Sequence, residues 1–152
     1  KRVDILVQAF QQMTTHPTAH LLIAGSDMGG LTTALQMANN HPRIHFLGTI
    51  QGHERLELLH TSDIIAYPSQ REIFGLVPFE ALMSGTPVIV SDDCGCGEII
   101  EQSEGGLVVP YGDIHQLTQG TRSSTFSQLR AQSSSASSAS SRFRQRKLQK
   151  EP

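Results

Sequence analysis

Cysteine is scarce in this 152-residue chain, tryptophan is absent, and no long hydrophobic run occurs. Two cysteines, Cys94 and Cys96, are too few to staple a disulfide scaffold and fit a reducing compartment. No apolar run approaches the roughly 18–20 residues that span a bilayer, which excludes a membrane-spanning helix. Basic groups are also scarce where a fold can form. Residues 1–120 hold five (Lys1, Arg2, Arg43, Arg55 and Arg71) against thirteen acidic groups, a net of −8. That balance excludes a uniformly basic nucleic-acid binder. Residues 121–152 hold the other seven basic groups against Glu151 alone, a net of +6, so the overall −2 averages two unlike pieces. The opening Lys1-Arg2-Val3-Asp4 does not have the pattern of a signal peptide. The expected location is the cytoplasm, with the basic run free to touch the anionic face of a membrane.

What the chain does contain divides near residue 120. Short apolar runs at His20–Ala24, Arg43–Leu47, Asp63–Tyr67, Pro87–Ser91 and Gly106–Val109 are rich in Ile, Val or Leu. Each is bounded by Gly, Pro, Asp or Ser, as buried parallel strands are. Between them, Val3, Leu6, Val7 and Phe10 form an apolar stripe at helical spacing, as do Leu31, Leu35 and Ala38. Leu56, Leu59 and His60 point to a third helix, and Asp113–Leu117 reads as the start of another. Strands alternating with helices predict an α/β fold: a doubly wound, Rossmann-like parallel sheet over residues 1–120. Ten of the 32 residues in 121–152 are serine, ahead of the basic run Arg142–Lys150. Too little apolar surface is present there to offset chain entropy, so this tail is expected to be disordered.

The most informative stretch runs from Pro68 to Pro87. A loop leaves the strand end at Tyr67-Pro68-Ser69, where open α/β sheets bind ligands. A helix is expected over Leu76–Ser84, with Pro78 tolerated in its first turn and Gly85 stopping it as a left-handed cap. Its residues are apolar on nearly every side, which predicts burial, and Glu80 is its one charge. The macrodipole stabilises an acid by about 0.3–1 kcal/mol, whereas desolvating a carboxylate costs several. Glu80 is therefore expected to accept hydrogen bonds from vicinal hydroxyls of a ligand. The N–H groups of Phe74, Gly75 and Leu76 make an anion site ahead of it, with Gly75 allowing close approach. Glu72 lies in the preceding loop and can point into the same crevice.

Glu72, seven intervening residues and Glu80 sit within Pro-Ser-x-x-Glu-x-Phe-Gly-Leu and Glu-Ala-Leu-Met-Ser-Gly-Thr-Pro-Val-Ile. This arrangement resembles the signature of retaining glycosyltransferases of the glycogen-synthase-like family four, which have the two-domain GT-B fold. Lys1 to Phe10, Leu21-Leu22-Ile23-Ala24-Gly25, Phe46-Leu47-Gly48-Thr49-Ile50 and Glu98-Ile99-Ile100 resemble further family segments in order. The resemblance implies the C-terminal, donor-binding half of such an enzyme, taking a nucleotide-diphosphate sugar as donor substrate without a cofactor. It places Glu80 on the donor ribose, the Phe74-Gly75-Leu76 amides and Lys1 on the diphosphate, and Ile50 near the nucleobase. Gly25 falls at a turn near the donor, and Glu72 contacts the transferred sugar at the reaction centre. The glycan or lipid-linked acceptor belongs to an N-terminal domain that this chain does not include, which implies little turnover by the chain alone. The family's usual Gly-Gly before the Glu appears as Cys94-Gly95.

Other fingerprints are missing. No Asp-x-Asp pair offers a metal site, and no Cys-x-x-Cys supports the zinc idea that Cys94, Cys96 and seven histidines invite. Gly25-x-x-x-Gly29-Gly30 fails the Gly-x-Gly-x-x-Gly spacing, which disfavours an NAD-dependent oxidoreductase. Ser69 lacks the Gly-x-Ser-x-Gly context of a hydrolase nucleophile. A fragment or module that binds nucleotides without turnover is the remaining alternative.

Overall fold

The computed structural model describes residues 1–120; the serine-rich segment and its basic run lie outside the described residues. In chain order the elements are α1 (Val3–Gln12), β1 (Leu21–Ala24), α2 (Leu31–Ala38), β2 (Ile44–Gly48), α3 (Gly52–Thr61) and β3 (Ile65–Tyr67). There follow α4 (Leu76–Met83), β4 (Val88–Ser91), α5 (Gly97–Gln102), β5 (Gly106–Val109) and α6 (Ile114–Gly120). Every strand pairing is parallel, as the alternation of strands and helices requires. Among the described residues the strands form two sheets, β1-β2 and β3-β4-β5.

One helix joins them. On α1, Val7 and Phe10 pack with Ala34, Ala38 and Ile44 around the two-stranded sheet. Ile5 and Ala9 of the same helix pack with Ile89, Val109 and Leu117 on the three-stranded one. A third cluster unites β3 and β4 with α4 and α5 through Tyr67, Ala81, Val88, Val90 and Ile100. The Arg2 N–H donates to the Pro68 carbonyl at 3.1 Å, which fixes the start of α1 beside the end of β3.

Two expectations need correction, and one element was missed. Full burial holds for β4, but β1 alternates between half-buried and exposed residues. The helix at Leu76 is not buried all round, because Leu76 is 62 % and Met83 74 % exposed. Only one side of this short helix faces the sheet, through Pro78 and Ala81. The six-residue α5 was not anticipated, since fewer than two turns cannot show a helical period. The stop is as expected: Gly85 has φ +79°, and Thr86 beyond it is buried.

Candidate functional site

The carboxyl ends of β3 and β4 carry the candidate site. Glu72 is held from two sides: Tyr67 Oη and Ser69 Oγ each donate to its Oε2 at 3.2 Å. Burial, then the nearby Glu72 charge, pushes the Tyr67 phenol well up, so it stays protonated and keeps donating. Lys1 Nζ lies 4.5 Å from the centroid of the Tyr67 ring, which brings a cation to the same strand end. The Glu72 backbone is clamped as well. It bridges Cys94 in parallel fashion, and the Gly95 N–H donates to the Glu72 carbonyl at 2.9 Å. Next to it Arg71 takes φ +49°, a left-handed conformation that costs a non-glycine residue free energy and is found at ligand clamps. The Arg71 N–H donates to Asp93 Oδ2 at 3.1 Å, which helps to hold that turn.

Gly75 precedes α4 and presses on Tyr67. A Cβ there would lie 2.8 Å from Tyr67 Cε1, so the loop can follow this path only with glycine. No side chain caps α4, and its amino end carries the partial positive charge of the helix dipole. Phe74 stacks on Phe79 at 5.1 Å, and Ile73, Phe74 and Leu76 leave an exposed apolar rim around this corner.

Glu80 has a partner that sequence reading missed. Arg55 on α3 binds it with two parallel contacts, Nη1 to Oε1 at 3.0 Å and Nη2 to Oε2. No spacing rule could have paired residues 25 positions apart on different helices. The Thr86 hydroxyl donates to the Leu59 carbonyl at 2.6 Å, and His60 Nδ1 lies 2.9 Å from the Ser84 carbonyl. These contacts lock α3 against α4. Because α3 begins at Gly52, the half-buried Ile50 lies just ahead of the helix that holds Glu80.

The structure thus gathers Lys1, Glu72 and the Phe74-Gly75-Leu76 turn around Tyr67, with Glu80 one turn further along α4. Gly25 belongs to the other sheet, at the end of β1, where its φ is +144° and its N–H donates to the Gly48 carbonyl at 2.8 Å. The neighbouring glycine loop is no phosphate cradle. Asp27 Oδ1 already accepts from the Gly29 and Leu31 amides at 2.8 and 3.2 Å, where an anion would sit. A cavity of about 600 Å³ shares Glu72 with the site, and its lining sets Arg71 against four further acids, Asp92, Asp93, Glu98 and Glu101. Those acids make it a poor place for a diphosphate. Among the described residues no group of three or more His, Cys, Asp or Glu is placed to hold a metal ion. No described helix is long and apolar enough to cross a membrane.

A parallel α/β domain with its candidate site at the carboxyl ends of the strands matches one half of the GT-B glycosyltransferase fold. WaaG, a glycosyltransferase involved in lipopolysaccharide biosynthesis, superposes with a TM-score of 0.75 at 25 % identity, covering 90 % of this chain and 38 % of that one. HepE of Anabaena, solved with UDP-glucose, gives a TM-score of 0.77 at 23 % identity over 91 % of this chain and 40 % of its own. The family model for glycosyl transferases group 1 matches residues 1–130, and the chain belongs to that family. In sequence it is 37 % identical over 116 residues to the N-acetyl-alpha-D-glucosaminyl L-malate synthase of Bacillus anthracis, covering 74 % of this chain and 30 % of that enzyme. The chain spans less than a third of the length of the curated relatives it matches.

Proposed function

We propose that this domain binds the nucleotide-diphosphate sugar of a retaining glycosyl transfer, with the acceptor presented by a further domain. The observation that carries this reading is the convergence at the end of β3. Lys1, the buttressed Glu72 and the uncapped amino end of α4 meet around one buried tyrosine. Cation and helix end suit a diphosphate, and a fixed carboxylate suits sugar hydroxyls.

Roles follow from the chemistry of each group. Breaking the glycosidic bond to the diphosphate leaves an oxocarbenium-like sugar and builds negative charge on the leaving group. Lys1 and the Phe74 to Leu76 turn are placed to stabilise that charge. Glu72, pinned by Tyr67 and Ser69, accepts from hydroxyls of the transferred sugar. Glu80 accepts from the ribose. Its pairing with Arg55 does not prevent this, since each carboxylate oxygen has a second lone pair, and the guanidinium keeps it oriented. Ile50 packs near the base, and Gly25 turns the chain beside the donor. The exposed rim of Ile73, Phe74 and Leu76 forms one wall of a cleft that the acceptor domain, carrying a glycan or lipid-linked acceptor, closes. No cofactor or metal enters this scheme. The domain works on the cytoplasmic side, at the membrane surface where the acceptor is lipid-linked. The HepE complex with UDP-glucose supports a nucleotide sugar as the class of ligand.

Calorimetric titration with UDP-glucose, GDP-mannose, ADP-glucose and NAD tests the reading. One sugar nucleotide should bind, and Glu80→Ala should weaken it at least about tenfold, which is 1.4 kcal/mol. Binding of NAD alone would overturn it. Binding without any transfer, even when an acceptor domain is supplied, would favour a module that kept the fold and lost the activity.

A further inference from the structure

Beneath the loop that carries Glu72 lie both cysteines of the chain. Cys94 and Cys96 are buried free thiols whose Sγ atoms are 3.0 Å apart. Their backbone holds the loop directly. Gly95, between them, donates its N–H to the Glu72 carbonyl at 2.9 Å. A Cβ on Gly95 would meet the Ile73 carbonyl oxygen at 2.0 Å, so the two segments touch with no room to spare. The cysteine segment therefore grips the site loop at Glu72 and Ile73. Cys94 also lines the 600 Å³ cavity, together with Asp92, Asp93, Glu98 and Glu101. A small neutral oxidant can enter there, whereas the acids repel an anionic one such as glutathione disulfide.

We propose that Cys94 and Cys96 form a redox-active dithiol, which hydrogen peroxide closes to an intramolecular disulfide that shifts the 72–75 loop. The Cys94 thiolate attacks one peroxide oxygen; the O–O bond breaks, hydroxide leaves as water after protonation, and Cys94 becomes a sulfenic acid. Cys96 sulfur then attacks the Cys94 sulfur. The S–S bond forms, the S–O bond breaks, and a second water leaves with the Cys96 proton. Two thiols are oxidised by two electrons and one peroxide is reduced to two waters. A small dithiol reductant reverses the step. The order follows from position: Cys94 is among the residues that line the cavity, whereas Cys96 is wholly buried, which pushes its thiol up to about 12 and keeps it protonated until its partner is activated. Closure shortens the sulfur separation to about 2.05 Å and pulls on Gly95 between the two cysteines, whose N–H holds the Glu72 carbonyl. The dithiol chemistry is independent of the donor reading; only its effect on binding rests on that reading.

The test treats the full chain with hydrogen peroxide, alkylates it in denaturant and measures the intact mass. The expected product is lighter by two hydrogens and carries no alkyl group; dithiothreitol restores two alkylatable thiols. Hydrogen exchange over residues 69–76 should differ between the reduced and oxidised forms. In Cys96→Ser the expected product is instead a monomer with oxygen added at Cys94. Two thiols still alkylatable after peroxide, or a disulfide between chains, would overturn the dithiol. A closed disulfide with unchanged exchange over 69–76 would overturn its coupling to the loop. UDP-glucose binding, where present, should fall at least about tenfold on oxidation. If neither form binds any sugar nucleotide, the functional reading fails while the mass result decides the dithiol by itself.

Discussion

The two sheets of this domain are built to different tolerances. In the three-stranded sheet β4 has a strand on either side, and Val88, Ile89 and Val90 are wholly buried. In the two-stranded sheet Leu22 and Leu47 stay well exposed, and two strands alone are marginal in water. The glycines divide the same way. At Gly105 and Gly106 a Cβ would collide with Leu82 and with the Val88 carbonyl oxygen, at 2.7 and 2.2 Å. At Gly25, Gly29, Gly30 and Gly48 a Cβ would meet nothing within 4 Å. Close packing by glycine is therefore confined to the three-stranded half, which also uses Gly85 and Gly112 in turns, whereas the glycines of the other half stand in open space. The difference teaches where precision is kept: the tightly packed half carries Glu72, Gly75 and Glu80, and the looser half leans on it through α1.

Core truncation should separate the halves most strongly. Ile89→Ala, beneath α1 and α6, is expected to cost about 3–4 kcal/mol in urea denaturation, and Ile23→Ala in β1 about 1–2 kcal/mol. Equal costs would break the comparison. Glycine replacement should sharpen it: Gly106→Ala is expected to lose about 2–3 kcal/mol by overpacking against β4. Gly30→Ala, at an ordinary φ of −109° in open space, should change stability by less than about 0.5 kcal/mol. Arg55→Ala comes next. It should cost about 1 kcal/mol and raise hydrogen exchange in α3 and α4 while leaving β1 unchanged.

A further small effect belongs to the start of α1, the helix that joins the halves. The Arg2 guanidinium at the start of α1 holds the Asp4 carboxyl below the usual carboxylate range. A depressed folded value means the pair stabilises the protein above the unfolded value of about 3.9 and stops doing so as pH falls through the folded one. Arg2 is partly solvated, so the gain is under about 1 kcal/mol. Asp4→Asn should therefore be less stable than the parent near neutrality and equal to it at low pH.

Much of this architecture is legible in the residues. The strand ends fall within two residues of those expected, because β-rich runs bounded by Gly, Pro and Asp are self-limiting. The stop at Gly85 is a local matter of φ, and so was readable. What escaped is tertiary. Hydrophobic pattern marks a strand but not its lateral neighbour, so the division into two sheets could not be seen. The Arg55–Glu80 pair and the Tyr67 and Ser69 support of Glu72 depend on which loop ends meet. Apolar residues on α4 promised burial, yet Leu76 and Met83 face outward, because composition does not say which side of a short helix is covered.

The central claim is that the donor lies along the carboxyl edge of the packed half, from Lys1 over the amino end of α4 to Glu80. A hydrogen-exchange footprint of UDP-glucose, or of whichever sugar nucleotide binds, tests it most directly, with Glu80→Ala as control. The account predicts slowed exchange centred on residues 72–80, diminished in the variant. A footprint confined to the Gly25–Leu31 loop or to the acidic cavity at Asp92–Glu101, indifferent to Glu80, would contradict it.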